Sequence, residues 1–299
     1  MYAFIHEQLP EYSVTEKCSA LEVTKQGYYQ WRKLLGKPYK YAALLAMIKA
    51  VFDEDPENEG NYGARRVYLR LTQDDYQYRG SYSTVYRVMK ANGLLKKKKR
   101  NPNSLTVEDR EAQKSENLLN QDFTAETPNS KWLTDISEVP TADGKLYISP
   151  VLDCFDGQIV GLAMDDNMKK ELCIKAFEQA RRRLDAYGMV CHSDRGSQYT
   201  SMAFREALRS CGAIQSMSGT GRCYDNARME SFFATLKKEK LYKINTGALP
   251  MDTVKSIIFR WVFLYYNRKR VYTANEGGYP PETKRRMYEA GNMPELMVA

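Results

Sequence analysis

Histidine and paired cysteines are scarce in this chain of 299 residues. Its two histidines are His6 and His192, and its six cysteines include no CxxC pair. Structural zinc sites draw four ligands from such residues at close spacing, so the sequence disfavours a site of this kind. We expect the thiols to be buried and reduced, as they are in cytoplasmic proteins.

A membrane-spanning segment and a secretory leader are also missing from the sequence pattern. The stretch at 257–266 is among the longest apolar ones, but it contains Arg260 and is shorter than the about 20 residues that a spanning helix needs. The first residues do not combine a basic region with an apolar one, as a signal peptide does. We therefore expect a cytoplasmic protein without a membrane partner.

Positive charge is what the chain has in excess. Its formal net charge is +8, and residues 61–100 hold 11 Lys and Arg against 2 Asp and Glu. Such an imbalance favours a polyanionic partner, nucleic acid before a membrane. The basic residues of this region that we expect to contact DNA are Arg65, Arg66, Lys96, Lys97, Lys98 and Lys99. The alternative is a small helical bundle whose basic face is only solvated.

The first hundred residues are predicted to form short helices. Ser13 and Thr24 are placed to cap two helices joined by a turn within 13–33, which is the plan of a helix-turn-helix segment. Further helices are predicted at 41–54, at 62–71 and between Ser81 or Ser83 and Gly93. The candidate recognition helices are 24–33 and 83–91.

From about residue 130 the pattern changes to alternating strands and helices. Strands are predicted at 132–136, 146–153, 158–164, 189–194 and 214–217, and helices at 169–187, at 200–212 and from Asp225 onward. This order predicts a mixed sheet with helices packed on it, an α/β fold. In such a sheet Asp135 lies on the first, central strand, Asp194 ends the fourth, and Glu230 reaches them from a helix.

The predicted organisation has five parts. The run KKKKR at 96–100 is followed by Asn-Pro-Asn-Ser, which is typical of the end of a domain. The parts are a helix-turn-helix-like segment (1–40), a basic helical DNA-binding region (41–104), a linker (105–125), an α/β core (126–272) and a C-terminal tail (273–299).

Asp135, Asp194 and Glu230 are the candidate catalytic residues. They lie in three separate, locally ordered contexts, and 35 residues separate Asp194 from Glu230. Hard cations such as Mg²⁺ bind carboxylate oxygens together with substrate phosphate oxygens. Two such ions about 4 Å apart can bind both the attacking and the leaving oxygen of a phosphoryl transfer. Spacing alone is weak support in a chain with 37 acidic residues, but the surrounding sequence strengthens it.

Five segments of the sequence resemble bacterial insertion-sequence transposases. They are TDIS (134–137), LDCFDGQIVG (152–161), HSDRGSQYTS (192–201), QSMSGTGRCYDNARMESFFATLKKE (215–239) and YYNRKR (265–270). The resemblance is dense over 130–272 and looser over 13–100. It is to the subunit encoded by the downstream reading frame, whose catalytic domain is similar to that of retroviral integrases.

This resemblance implies a ribonuclease H-like fold and an enzyme that cleaves and joins DNA with Mg²⁺ or Mn²⁺, two ions per active site. By motif match, the metal-binding DDE triad falls on Asp135, Asp194 and Glu230. The implied partners are double-stranded DNA (the inverted repeats at the element ends and the target), an upstream-frame helix-turn-helix protein or its frameshift fusion, and further copies of the chain. The implied location is the bacterial nucleoid.

Basic and amide side chains near these motifs are candidate DNA contacts. Lys237 lies two helical turns beyond Glu230 on the same side, where a cation can bind a neighbouring phosphate; the alternative is a solvated lysine. Asn226 is expected either to orient the Glu230 carboxylate or contact DNA, or to cap the helix. His192 is expected to be a packed histidine rather than a ligand. The other candidate contacts are Lys238, Arg222, Arg228, Arg268 and Arg270.

One position departs from the resemblance. Tyr272 stands where many members of the family carry His, two residues beyond Arg270. Two alternatives to a transposase are another ribonuclease H-like polynucleotidyl transferase or nuclease, and a DNA-binding regulator with an inert catalytic domain. The basic N-terminal region disfavours the first alternative, and the intact acidic triad disfavours the second.

Overall fold

The computed structural model describes residues 1–8, 10–35, 37, 39–58, 60–95, 116–182, 188–219 and 223–291. They fall into two compact units, Met1–Ala46 and Met47–Ala299. Within the described residues, no helix has both the length and the apolar character to cross a bilayer. The candidate DNA contacts that lie outside the described residues are Lys96, Lys97, Lys98, Lys99 and Arg222.

The first unit contains three short helices at its start. They are α1 (Tyr2–Glu7), α2 (Val14–Ala20) and α3 (Lys25–Leu34). Ser13 caps α2 in a capping box, and Thr24 caps α3, so both predicted caps are confirmed. The buried side chains of Ile5, Cys18 and Tyr28 form the core of these helices.

Three more helices precede the sheet: α4 (Ala42–Asp53), α5 (Ala64–Thr72) and α6 (Tyr82–Ala91). They confirm the three amphipathic patterns. Ser81 caps α6, and Gly93 follows its end at φ +69°, a left-handed conformation that glycine adopts without strain. The residues predicted to face inward, Val85, Val88 and Met89, are buried.

A six-stranded mixed sheet forms the centre of the second unit. Its strands are β1 (Lys131–Thr134), β2 (Ser137–Thr141), β3 (Gly144–Asp153), β4 (Ile159–Asp165), β5 (Val190–Ser193) and β6 (Ile214–Met217). Their order is β2-β3-β1-β5-β6, and β4 also pairs with β3. β1 is antiparallel to β3 and parallel to β5, so it is the central strand, as predicted.

Helices pack on both faces of this sheet. The α-helices described after β4 are α7 (Lys170–Arg181), α8 (Ser197–Thr200), α9 (Met202–Arg209), α10 (Ala227–Glu239), α11 (Met251–Arg260) and α12 (Pro281–Glu289), and those from α7 to α11 contribute to the cores on the sheet. On β1, Leu133 packs in one core with residues of α10 and α11, whereas Trp132 packs in another with residues of α7 and α9. Successive residues of a strand point to opposite faces, so helices cover the sheet from both sides.

Some elements differ from the prediction. The sequence pattern misses β2, whose segment SEVPT contains Pro140 and buries only Val139 and Thr141, as edge strands do. The helix expected at 200–212 is α9, which begins at Met202 because the Ser201 side chain caps it, and the sequence pattern missed the short α8 before it. α10 begins at Ala227, after a 3-10 turn at Cys223–Asn226.

The C-terminal segment is more than the predicted tail. Its helix α12 carries Arg285, whose guanidinium binds Asp153 at 2.5 Å and Asp156 at 2.7 Å. Both carboxylates are fully buried, and buried charges are tolerated only when they are paired. α12 is therefore part of the second unit, which sequence reasoning missed because Arg285 is 129 residues from Asp156.

Candidate active site

Asp135 and Asp194 lie side by side at one edge of the sheet. Each follows the last residue of its strand, Asp135 after β1 and Asp194 after β5. These two strands are parallel neighbours, and Leu133 is paired with His192. Continuing that register by two residues pairs Asp135 with Asp194. The carboxyl edge of parallel strands is where α/β sheets place functional side chains.

The two carboxylates repel each other in a half-buried setting. Burial raises the pKa of Asp135 to about 7, and the Asp194 and Glu230 charges add to this effect. The Ile136 N–H donates to Asp135 Oδ1 at 2.8 Å and opposes the rise. Burial also raises the pKa of Asp194, although the Gly196 N–H donates to its Oδ1 at 3.0 Å. A cation bound between these groups would offset the repulsion.

Glu230 reaches this edge from α10. Its side chain is exposed, and its charge acts on Asp135. The opposite side of the helix is fixed to the sheet, because Phe232, Phe233 and Leu236 are buried in the core with β1 and β3, as predicted. The structure thus brings all three predicted acids, Asp135, Asp194 and Glu230, towards one edge of the sheet, with Glu230 the outermost. We call this the acidic edge.

Lys237 joins the same group of charges. It is half-buried, and burial lowers its pKa, while the negative charges of Glu138 and Asp135 oppose that shift. Lys237 is therefore within electrostatic range of the Asp135 carboxylate, which favours the phosphate-binding interpretation over a solvated lysine. Sequence reasoning missed Glu138, which comes near through β2, the strand that it also missed. Lys238, by contrast, is exposed.

Asn226 connects the start of α10 to the end of β1. Its Nδ2 donates to the carbonyl of Thr134 at 3.3 Å, one residue before Asp135. Its Oδ1 is buried and has no hydrogen-bond partner among the described residues. The side chain makes no capping bond within the described part of α10, so the capping alternative is wrong. Asn226 therefore ties the start of α10 to the strand end that precedes Asp135.

The hydroxyl groups of Tyr199 and Thr134 contact each other next to the end of β1, just before Asp135. The Tyr199 hydroxyl lies 3.2 Å from Thr134 Oγ1, which donates to the carbonyl of Pro150 at 2.9 Å. Burial raises the pKa of Tyr199 well above its ordinary value, with the charges of Asp135 and Asp194 among the further causes. Tyr199 stays protonated and fixes the end of β1. The sequence offered one signal for it, its place in HSDRGSQYTS.

His192 is a packed histidine, as predicted. It is fully buried, with Nδ1 2.8 Å from Ser216 Oγ and Nε2 3.2 Å from Ser218 Oγ. Burial lowers its pKa to about 4, so the ring is neutral near pH 7. Its contacts join β5 to β6 directly behind Asp194. The predicted burial of the thiols also holds for Cys18, Cys154, Cys173 and Cys191, while Cys211 is half-buried.

Three arginines predicted to contact DNA bind groups inside the second unit, and the burial of Arg270 corrects the expectation for that residue. Arg270 is 4% exposed and binds both oxygens of Glu239, at 2.8 and 2.9 Å. Arg66 binds the same carboxylate at 2.7 Å. Arg228 donates to the carbonyls of Phe123 and Cys154, each at 2.7 Å. Each guanidinium thus has acceptors inside the second unit, although Arg66 and Arg228 are only half-buried.

Two other arginines keep the position expected of DNA contacts. Arg65 is exposed on α5. Arg268 is 58% exposed and pairs with Glu282 at 2.9 Å. An exposed pair of this kind contributes little to stability, so Arg268 can exchange its partner for a phosphate at low cost.

The acidic edge fits a hard divalent cation by its chemistry. Its donors are carboxylate oxygens, and Mg²⁺ prefers oxygen ligands. Among the described residues, no three Asp, Glu, His or Cys side chains meet closely enough to enclose a metal by themselves.

Two protein families match separate parts of the chain. The integrase core domain matches residues 125–223, and an HTH-like domain matches residues 39–102. The first contains Asp135 and Asp194, and the second covers most of the predicted basic helical region. Together with the mixed sheet, these matches confirm the ribonuclease H-like α/β fold preceded by helix-turn-helix-like segments.

Sequence relatives cover almost the whole chain. The transposase InsF of insertion sequence IS3A from Escherichia coli strain K12 is 31% identical, over 94% of this chain and 96% of its own length. A 31 kDa protein of insertion element IS600 from Shigella sonnei is 33% identical, over 91% of this chain and 98% of its own. The protein InsK of insertion sequence element IS150 from Escherichia coli strain K12 is 32% identical, over 93% and 95%.

Solved structures with a similar core come from retroviral integrases. The HTLV-2 integrase catalytic core in complex with magnesium is 21% identical and covers 52% of this chain and 95% of that chain, with a TM-score of 0.39. A simian T-cell lymphotropic virus intasome is 16% identical and covers 84% and 76%, with a TM-score of 0.45. These TM-scores are low, so the assignment rests on the sequence relatives, and by them the chain belongs to the insertion-sequence transposase family.

Proposed function

We propose that this chain is a DDE-type transposase that cleaves DNA at the ends of its insertion sequence and transfers the strands to a target, with Asp135, Asp194 and Glu230 as its catalytic acids. Membership of the transposase family makes it a polynucleotidyl transferase of DNA transposition. The observation that carries the finer assignment is the pairing of Asp135 with Asp194 at adjacent strand ends, where burial and like charge raise the Asp135 pKa to about 7.

The three acids would hold Mg²⁺ or Mn²⁺, two ions per site, which when bound offset phosphate charge and activate the attacking oxygen. Backbone N–H groups of Ile136 and Gly196 each fix one oxygen of the aspartates they follow. This fixes the direction of the carboxylates before DNA arrives, and charges that are oriented in advance contribute most of the rate enhancement in many enzymes.

Lys237 would bind a phosphate next to the scissile one. It lies in the last part of α10 and is half-buried beside Asp135, so its ammonium is close to the reaction without being a ligand. The carboxylates around it keep it protonated, because they oppose the effect of burial on its pKa. A fixed cation at this place orients the DNA backbone.

DNA outside the site would be held by exposed basic residues. The proposed contacts are Arg65, Lys238 and Arg268, with Lys96, Lys97, Lys98, Lys99 and Arg222 outside the described residues. The proposed partners are element-end and target DNA, further copies of the chain, and an upstream-frame helix-turn-helix protein or its fusion. The proposed location is the bacterial nucleoid.

The test is cleavage of labelled DNA that carries the native element end. Mg²⁺ and Mn²⁺ should both support cleavage and joining. Ca²⁺ should support little of either, because its longer and less rigid bonds to oxygen would hold the attacking and leaving oxygens too far apart. DNA binding by the same protein in Ca²⁺ shows that it is folded. Full activity in EDTA would contradict the proposal.

A further inference from the structure

We propose that Glu239 is a positioning residue that fixes the basic helical region to α10, the helix that carries Glu230. DNA bound by the helical region then always presents the same phosphate to the catalytic acids. This proposal rests on the proposed function. It adds to that function the residue that determines which phosphate is cut. Its basis is a carboxylate shared by two arginines from distant parts of the second unit.

Glu239 occupies the last turn of α10 and is 8% exposed. Arg66 on α5 binds its Oε1 at 2.7 Å, and Arg270 binds Oε2 at 2.8 Å and Oε1 at 2.9 Å. The Arg270 pair is bidentate, which is the most directional ion pair that proteins form. One buried carboxylate therefore joins the helical region, α10 and the segment after α11.

Further polar contacts run along the same boundary. Asn61 Nδ2 donates to the carbonyl of Glu239 at 3.2 Å, and Lys240 forms an ion pair with Glu57. The Val271 N–H donates to the Tyr62 hydroxyl at 2.7 Å. Several residues between 57 and 66 thus bind the C-terminal end of α10 and the segment after α11, and these contacts hold the helical region in place.

α10 transmits this position to the catalytic centre. Glu230 and Glu239 lie nine residues apart on one continuous helix, a distance of about 14 Å at the rise of an α-helix. A helix of this length is stiff, so a shift of the helical region at Glu239 moves the DNA relative to Glu230 and Lys237. A misplacement of about 1 Å can reduce a reaction by about 10²-fold.

Because the charges of this boundary are buried, we infer that they position the helical region rather than only add to the stability of the fold. A buried ion pair often adds no more stability than apolar packing of the same volume, but its geometry is unique. Arg66 is 21% exposed and engaged by Glu239, so it serves this boundary rather than the DNA surface.

The experiment maps the cut on labelled element-end DNA for the wild-type protein and four variants. Arg66→Gln with Lys240→Gln weakens the boundary and leaves the buried Glu239–Arg270 pair intact, so this variant should fold. Glu239→Gln removes the shared charge, and Glu239→Asp keeps it. Lys255→Gln is the matched control, because it breaks the exposed Lys255–Asp252 pair and also removes one cation.

We expect cleavage at the native phosphate to fall by up to about 10²-fold in the first two variants, with new cuts at neighbouring phosphates. Glu239→Asp should restore part of the single cut, and Lys255→Gln should keep it. Loss of rate with the cut still at one position, in variants that bind DNA normally, would overturn the proposal. Absence of cleavage by the wild type would instead contradict the proposed function, and the inference with it.

Discussion

A group of charged residues lies near each end of α10, and the pKa of the central carboxylate is raised in one group and lowered in the other. Near its start, Asp135 is buried beside Asp194 and Glu230, and its pKa is raised to about 7. At its end, burial raises the pKa of Glu239 as well, but Arg270 and Arg66 outweigh this effect and leave it lowered. Asp135 and Glu239 are both largely withdrawn from water, but two arginines pair directly with Glu239, whereas two acids outnumber the single lysine, Lys237, that acts on Asp135.

The difference separates structural charge from functional charge. A compensated carboxylate holds parts of a fold together, whereas carboxylates held against each other need a partner from outside. The same unit contains a second compensated case, Arg285 with Asp153 and Asp156. The acidic edge thus differs from these two groups, in which arginines are paired with the buried carboxylates.

Removing an acid from the uncompensated group should have the largest effect. Asp135→Asn, Asp194→Asn or Glu230→Gln should each abolish cleavage and joining, a loss of several kcal/mol (~4) of transition-state stabilisation, because charge rather than shape binds the metal. Binding of end DNA should persist, which a gel-shift assay would show. Strand transfer at a near-normal rate by any one variant would exclude that residue from the triad.

Removing the acid of the compensated group should affect stability instead. Glu239→Gln leaves two guanidiniums without their counter-charge and should cost about 3–5 kcal/mol in the free energy of unfolding. Asp252→Asn, which breaks an exposed pair, should change it by less than about 0.5 kcal/mol. Urea denaturation of both proteins measures the difference. Equal midpoints for the two variants would remove the contrast between the groups.

Lys237 should behave as a member of the first group. Lys237→Gln should reduce the cleavage rate by about 10²-fold with the fold intact, because a fixed cation beside the reacting phosphate is lost. Lys238→Gln removes an exposed cation one residue away and should weaken DNA binding more than the rate. Single-turnover cleavage at saturating DNA separates the two effects. The same rate loss in both variants would mean that Lys237 has no special position.

Replacing the basic run at 96–99, which lies outside the described residues, should have the smallest effect. Replacing Lys96, Lys97, Lys98 and Lys99 together with Gln should flatten the dependence of DNA affinity on salt by up to roughly four contacts, at a slope of about −0.9 per phosphate. Preference for end DNA over random DNA should change less, because phosphate contacts position and base contacts specify. Binding curves at several salt concentrations measure both, and an unchanged slope would show that KKKKR is only solvated.

Local patterns in the sequence predict the elements that carry the acidic edge, and the family resemblance assigns its three acids. Caps, alternation and turn residues predict most strands and helices, and the carboxyl ends of parallel strands bring Asp135 and Asp194 together. The compensated groups were beyond prediction, because Arg66 lies 173 residues from Glu239 and nothing local marks either as a partner. The same limit explains why Arg228, Arg270 and α12 were assigned to the surface.

Tyr272 shows where pattern and structure complement each other. The sequence marks it only as a departure from the His of many family members. In the structure its hydroxyl lies 3.4 Å from the Arg228 guanidinium, and its ring packs across Tyr266 at 6.1 Å. The ring also covers Gly157, where an added Cβ would lie 2.5 Å from it. Tyr272 therefore packs inside the core at the start of the C-terminal segment.

The most direct test of the central claim is the thermal stability of Asp135→Asn without and with Mg²⁺. The raised Asp135 pKa means that the folded protein binds a proton more tightly than the unfolded chain, so stability falls as pH rises from about 4 to about 7. At pH 8 in EDTA, Asp135→Asn should melt at a higher temperature than the wild type. Mg²⁺ should raise the melting temperature of the wild type and leave that of the variant unchanged. A variant that is less stable in EDTA, or that gains as much from Mg²⁺, would contradict the account.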